Sequence, residues 1–147
     1  MSKVTLKYID NDEYLKSYLE IVREIRRLHD QLESARSAVL SGSSGGSGGQ
    51  GDGSSVPERK AVRIRQLEQE IETLSDYASS RADDINKVFL DQVASPNSRH
   101  LLRLYYIRGL SYSEIAKRSK QKRITVYRRI VRTVSRLNIK TDQGEQL

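Results

Sequence analysis

Hydrophobic residues recur at helical spacing in two long segments of the chain. In the first segment they are separated alternately by four and three positions, at Tyr14, Tyr18, Ile21, Ile25, Leu28, Leu32, Ala35 and Val39. The second segment continues the pattern at Ile64, Leu67, Ile71, Leu74, Ala78, Arg81, Ile85 and Val88, with Arg81 as the polar exception. A repeat of about 3.5 residues is typical of helices that pack side by side. The pattern therefore predicts two long amphipathic helices, the second over about 57–93.

Two local features refine the first helix. Asp10 and Glu13 have the spacing of a capping box, which predicts that the helix begins near Asp10. Leu15, Leu19 and Val22 widen the apolar stripe at this end. The wider stripe predicts that the first half of the helix packs on more than one partner.

A glycine-rich stretch separates the two helices. Residues 41–55 read SGSSGGSGGQGDGSS and hold seven of the nine glycines, a composition typical of a flexible connector. A phosphate-binding loop is excluded because no Gly-Lys-Ser/Thr follows a strand here. The arrangement predicts a long antiparallel, coiled-coil-like hairpin over 1–94, and its broad stripes predict a homo-oligomer.

Residues 95–140 have the pattern of three short helices. Ser95-Pro96 separates the first of them from the preceding long helix, and Gly109 ends it. Ser111 and Glu114 form a second capping-box pattern at the start of SYSEIAKRS, and RITVYRRIVRTVSRL follows the turn SKQK. This order predicts an all-α chain that ends in a trihelical helix-turn-helix domain over 95–140 and a polar tail over 141–147.

The positive charge of the chain is concentrated in that domain. The net charge is +7, yet thirteen of the 26 lysines and arginines lie between Pro96 and Lys140, where Glu114 is the single acid. Such asymmetry indicates a polyanionic partner, and with a helix-turn-helix we expect that partner to be double-stranded DNA.

Composition excludes several other functions. The absence of cysteine excludes thiolate metal sites and thiol catalysis, and two histidines make a histidine metal centre unexpected. Asp83 and Asp84 are adjacent and point to different sectors of a helix, so they make a poor metal site. We therefore expect that the protein binds no metal and no cofactor and is not an enzyme. No apolar run approaches the roughly 20 residues of a membrane span, and the N-terminus lacks the apolar region of a secretory signal. A cytoplasmic protein is expected.

A helical wheel divides the last helix into two faces. Val126, Ile130, Val134 and Leu137 share the core side, where Ile115 and Ala116 of the preceding helix would meet them. The residues predicted to contact bases project from the opposite side: Ile124, Thr125, Arg128 and Arg132. The residues predicted to contact phosphates surround them: Ser111, Tyr112, Lys117, Lys120, Lys122, Arg123, Tyr127, Arg129 and Arg136.

The segment LLRLYYIRGLSYSEIAKRSKQKRITVYRRIVRTVSRL resembles the helix-turn-helix of sigma-factor region 4. The matching features are the apolar first helix, Gly-Leu-Ser, Glu-Ile-Ala and Thr-Val-Tyr-Arg. With the heptad pair and the Gly/Ser-rich interruption in front, the layout is similar to that of ArpU/RinA-type phage transcriptional regulators. The resemblance implies a sequence-specific activator of late phage genes that binds promoters in the cytoplasm of the bacterial host cell, with host RNA polymerase as a further candidate partner.

The turn departs from this resemblance. Relatives place Leu-Gly-hydrophobic-Ser where this chain has Ser119, Lys120, Gln121 and Lys122, so the left-handed glycine and the cap are lost. Either the turn adopts a different geometry, or it keeps this geometry with lower stability and its residues contact phosphates instead.

A second function fits the same layout. Small terminase subunits of phages also join a helix-turn-helix to an oligomerising helical hairpin and recognise DNA for packaging. A ring of about eight or more chains would favour packaging, and a dimer would favour regulation.

Overall fold

The computed structural model describes residues 3–42 and 55–139, and this part of the chain is all-α. Its helices are α1 (Lys3–Gly42), α2 (Ser55–Gln92), α3 (Pro96–Tyr106), α4 (Tyr112–Ser119) and α5 (Arg123–Ser135). The predicted fold class is confirmed. Most of the predicted connector, 43–54, and the predicted tail, 141–147, lie outside the described residues. None of these helices is long and apolar enough to cross a membrane.

The described residues form two compact units. Unit 1 contains the residues up to Glu20 together with those from Ser79 onward, and unit 2 contains Ile21–Ala78. The two long helices thus contribute one part to each unit.

Unit 2 is the packed pair of helices that the sequence predicts. The hydrophobic positions that recur alternately after four and three residues in α1 and α2 are called the seam below. Leu28 and Leu32 of α1 form a buried cluster with Leu67 and Ile71 of α2. The partly buried residues that pack against this cluster are also seam positions: Ile25, Ala35, Ile64 and Leu74. These contacts support the hairpin. Val39, in contrast, is 41% exposed, so the seam is not buried as far as the pattern predicts.

Unit 1 has one core to which all five helices contribute. Leu15 of α1 joins Ile85 and Phe89 of α2 among the fully buried residues. The buried residues from the rest of this unit are Val93, Leu101, Leu102, Leu104, Tyr106, Ile115, Ala116, Val126, Ile130, Val134 and Leu137. Leu15 belongs to the wider stripe that predicts an additional packing partner. Phe89 lies beside the predicted seam residue Val88, which is only partly buried, because α2 packs on the C-terminal helices near its end.

The predicted start of α1 is wrong. The helix begins at Lys3 and passes through Asp10 without a cap. Contacts with residues at and just after the end of α5 account for the extra turns, because Lys7 Nζ donates to Asn138 Oδ1 at 2.6 Å. Asn11 is buried and donates to the carbonyl oxygens of Val134 and Leu137 at 2.8 and 2.9 Å.

Candidate nucleic-acid interface

Helix α4 begins at the predicted capping box. The Ser111 hydroxyl accepts a hydrogen bond from the Glu114 N–H at 3.1 Å, and the Glu114 carboxylate accepts one from the Ser111 N–H at 3.2 Å. Hydrogen bonding of the Ser111 backbone N–H, and then of the Ser111 hydroxyl, to the Glu114 carboxylate lowers the pKa of this carboxyl, and Arg118 adds a smaller attraction. The first turn of α4 is therefore stabilised by hydrogen bonds between residues of that turn and its N-cap.

The turn between α4 and α5 keeps the left-handed conformation even though it has no glycine. Lys120 adopts φ 55° and ψ 39°, and its N–H donates to the Ala116 carbonyl. Gln121 N–H donates to the same oxygen at 3.0 Å. Of the two alternatives for this turn, the geometry is retained, and Lys120 bears a strain of about 1–2 kcal/mol. Its side chain is exposed, as a phosphate contact requires.

Helix α5 begins without a side-chain cap. Lys122 is the N-cap residue and makes no capping hydrogen bond, because an ammonium group has no acceptor. The predicted loss of the cap is confirmed. The N-terminal turn of α5 consequently presents backbone N–H groups and a lysine side chain together.

The two faces of α5 are separated as the helical wheel predicts. Val126, Ile130, Val134 and Leu137 are at most 1% exposed. Ile124 is 48% exposed, and the three polar base-contact candidates are exposed with it: Thr125, Arg128 and Arg132. This set lies on one side of α5, where Ile124, Arg128 and Arg132 follow one another at about one helical turn and Thr125 is adjacent to Ile124.

Most of the predicted phosphate contacts lie on the surface around this set. Lys117, Lys120, Lys122, Arg123 and Arg136 are exposed, and Arg129 is partly buried. Ser111 is exposed, although its hydroxyl already accepts a hydrogen bond from Glu114. Among the described residues, no carboxylate lies within salt-bridge distance of any lysine or arginine in α4, α5 or the turn. These helices thus present positive charge that the rest of the described chain does not neutralise.

Tyr112 and Tyr127 have a packing role that sequence reasoning did not predict. The ring of Tyr112 stacks on Tyr105 with centroids 4.6 Å apart and planes 9° apart. The Tyr127 ring meets Tyr112 edge-on at 5.3 Å. Burial raises the pKa of Tyr112 well above its usual value, with a further contribution from Tyr105. Since these rings come from α3, α4 and α5, they fix the helices relative to one another; Tyr127 remains 42% exposed.

Residues far away in the sequence support the C-terminal end of α5. Gln92 exchanges two hydrogen bonds with the backbone of Asn138, at 2.7 and 2.8 Å. Asn11 binds the carbonyls of Val134 and Leu137, as described above. No sequence pattern marks Asn11 or Gln92, because their partners lie 123–126 and 46 positions away.

The described residues contain no group of three or more His, Cys, Asp or Glu that could hold a metal ion. Comparison with protein-family models, curated proteins and solved structures gives no match for this chain.

Proposed function

We propose that α4 and α5 bind duplex DNA and that the chain is a sequence-specific transcription regulator. The observation that carries this proposal is the exposed face of α5, which is opposite a fully buried core face and is surrounded by cations without carboxylate partners. The resemblance in sequence extends the proposal to activation of late phage genes, with host RNA polymerase as a further candidate partner.

The dimensions of α5 suit this role. Its 13 residues span about 20 Å, and a major groove about 12 Å wide accommodates one α-helix. In this class of motif, the N-terminal residues of the second helix contact base edges while the first helix crosses the backbone. Arg128 and Arg132 are exposed one turn apart, where a guanidinium can form two hydrogen bonds with guanine.

Substitutions in α5 and in the turn should separate base contacts from phosphate contacts. A cognate duplex is first selected from a random library, and binding is then titrated with salt on this duplex and on a scrambled one. Arg128→Ala should cost roughly 1–3 kcal/mol on the cognate duplex and much less on the scrambled one. Lys122→Ala should weaken both duplexes alike and lower the salt slope by about one unit.

Arg65→Ala serves as the matched control because Arg65 is an exposed arginine on α2 in unit 2. It should change neither affinity nor salt slope. Equal losses on both duplexes for Arg128→Ala would refute base contact through this residue. Binding that does not respond to salt would refute the electrostatic basis of the proposal.

The proposal includes a homo-oligomer, which we expect to be a dimer because a dimer pairs two helix-turn-helix units on two half-sites. Analytical ultracentrifugation of the full chain measures its mass. A ring of about eight or more chains would contradict regulation and favour DNA recognition for packaging.

A further inference from the structure

Ile124 differs from the other isoleucine of α5. Ile130 is 1% exposed in the core, whereas Ile124 is 48% exposed on the basic face. A single exposed apolar residue is ordinary on a protein surface. Its location is what makes Ile124 informative, since it is the second residue of α5, beside Thr125 and one turn before Arg128.

We propose that Ile124 recognises the C5-methyl group of a pyrimidine base, which is thymine in ordinary DNA, in the major groove. This inference rests on the proposed function and specifies the duplex that is bound. The edge of a base pair in the major groove presents hydrogen-bonding groups and one apolar group, which is the methyl of thymine. An isoleucine side chain neither donates nor accepts a hydrogen bond, so the methyl group is the feature that it can select.

The position of Ile124 agrees with contact to a base edge. The N-terminal residues of the recognition helix are those that enter the groove most directly. Lys122 and Arg123 are exposed just before Ile124 and can hold the flanking phosphates. Thr125 is exposed next to it, and its hydroxyl can form a hydrogen bond with a base edge.

Arg128 defines where the methyl group lies in the site. Four residues along α5 correspond to about 6 Å, and base pairs are stacked about 3.4 Å apart. The recognised methyl group should therefore lie within about two base pairs of the guanine bound by Arg128.

The test changes a single methyl group on the DNA. In the selected duplex, each thymine near the guanine assigned to Arg128 is replaced in turn by deoxyuridine, which lacks only the C5-methyl group. Full-length wild-type protein should bind one of these duplexes about three- to fivefold more weakly, as expected for the burial of one methyl group. Replacing that thymine by 5-methyl-deoxycytidine, paired with guanine, should retain more affinity than replacing it by deoxycytidine.

Ile124→Ala should bind the thymine and deoxyuridine duplexes equally, whereas Ile124→Val should keep part of the discrimination. Leu90→Ala is the matched control because Leu90 is also exposed in unit 1, at 59%, but lies on α2. It should discriminate like the wild type.

The outcomes separate this inference from the proposed function. Wild-type protein that selects a duplex but is insensitive to every deoxyuridine replacement overturns the inference and leaves DNA binding intact. A loss that is the same in wild type and Ile124→Ala also overturns it, because another residue then contacts the methyl group. Failure to select any duplex overturns the proposed function itself.

Discussion

Lys120 occupies a backbone conformation that favours glycine, and its exposed side chain is a proposed phosphate contact. Lys120→Gly should relieve the strain of the left-handed conformation and raise the free energy of unfolding by about 0.5–1 kcal/mol, after allowance for the more flexible unfolded chain. Urea denaturation measures the change. Lys120→Ala keeps the strain and should leave stability almost unchanged, while both variants lose the cation and lower the salt slope of DNA binding alike. A destabilised Lys120→Gly would contradict the left-handed turn.

Glu114 should make the stability of α4 depend on pH in the acid range. Its pKa in the folded chain is lowered by the hydrogen bonds from Ser111, so its contribution is present above the unfolded pKa of about 4.3. That contribution is lost as the pH falls through the lower folded pKa. Glu114→Gln keeps a hydrogen-bonding group but loses the charge. The difference in Tm between wild type and this variant should be constant near pH 7 and shrink below about pH 4; a constant difference at all pH values would show that the charge has no role.

Features that depend on neighbouring residues are predictable from the sequence at this scale. The capping box of Ser111 and Glu114 is such a case, and so is the positive φ of Gly109, which is 74°. Asn11 and Asp12 are the opposite case. Asp12 accepts a hydrogen bond from the Tyr106 hydroxyl at 2.6 Å across 94 positions of sequence. No local pattern encodes a partner at that separation.

At the scale of elements, the two ends of α5 differ. Its N-terminal end follows the strained turn and has no side-chain cap, whereas at its C-terminal end the carbonyls of Val134 and of Leu137, just after the helix, accept hydrogen bonds from Asn11 of α1. The capping-box pattern places the start of α1 too late because it considers residues within one turn. The stability of the first turns of α1 comes instead from contacts with the end of α5.

Asn11→Ala should therefore destabilise the chain by about 2 kcal/mol, since two hydrogen bonds from a buried side chain to backbone carbonyls are lost. It should also weaken binding to the cognate duplex, because the end of α5 is no longer held. Thermal unfolding and DNA titration measure the two effects. The control is Asn97→Ala, at an exposed position on α3, which we expect to be nearly neutral. Equal effects of the two variants would contradict a capping role for Asn11.

At the scale of the whole molecule, the described residues contain two buried clusters, one in each unit. The seam pattern predicts the cluster of unit 2 because Leu28, Leu32, Leu67 and Ile71 follow the heptad spacing. It does not predict that Leu15 and Phe89 complete the core around α3, α4 and α5. Heptad spacing indicates which residues of a helix face a partner, but it does not identify the partner when several helices are available.

Two leucines allow the clusters to be compared. Leu15 is 0% exposed in unit 1 and Leu67 is 1% exposed in unit 2, so each substitution to alanine should cost about 2–5 kcal/mol. Leu15→Ala should accelerate amide hydrogen exchange in α3, α4 and α5. Leu67→Ala should accelerate it mainly in residues 21–42 and 55–78. Faster exchange of α5 in Leu67→Ala than in Leu15→Ala would contradict separate clusters.

The tyrosines give the protein an intrinsic optical probe of one unit. The chain has no tryptophan and eight tyrosines, and Tyr77 is the one that belongs to unit 2. Near-ultraviolet circular dichroism and tyrosine fluorescence consequently report mainly on unit 1. The far-ultraviolet circular dichroism signal reports on the helices of both units. The stacked rings of Tyr105 and Tyr112 and the neighbouring, partly exposed Tyr127 lie at the proposed DNA interface. Melting of this unit and docking of a duplex can thus be followed without any attached label.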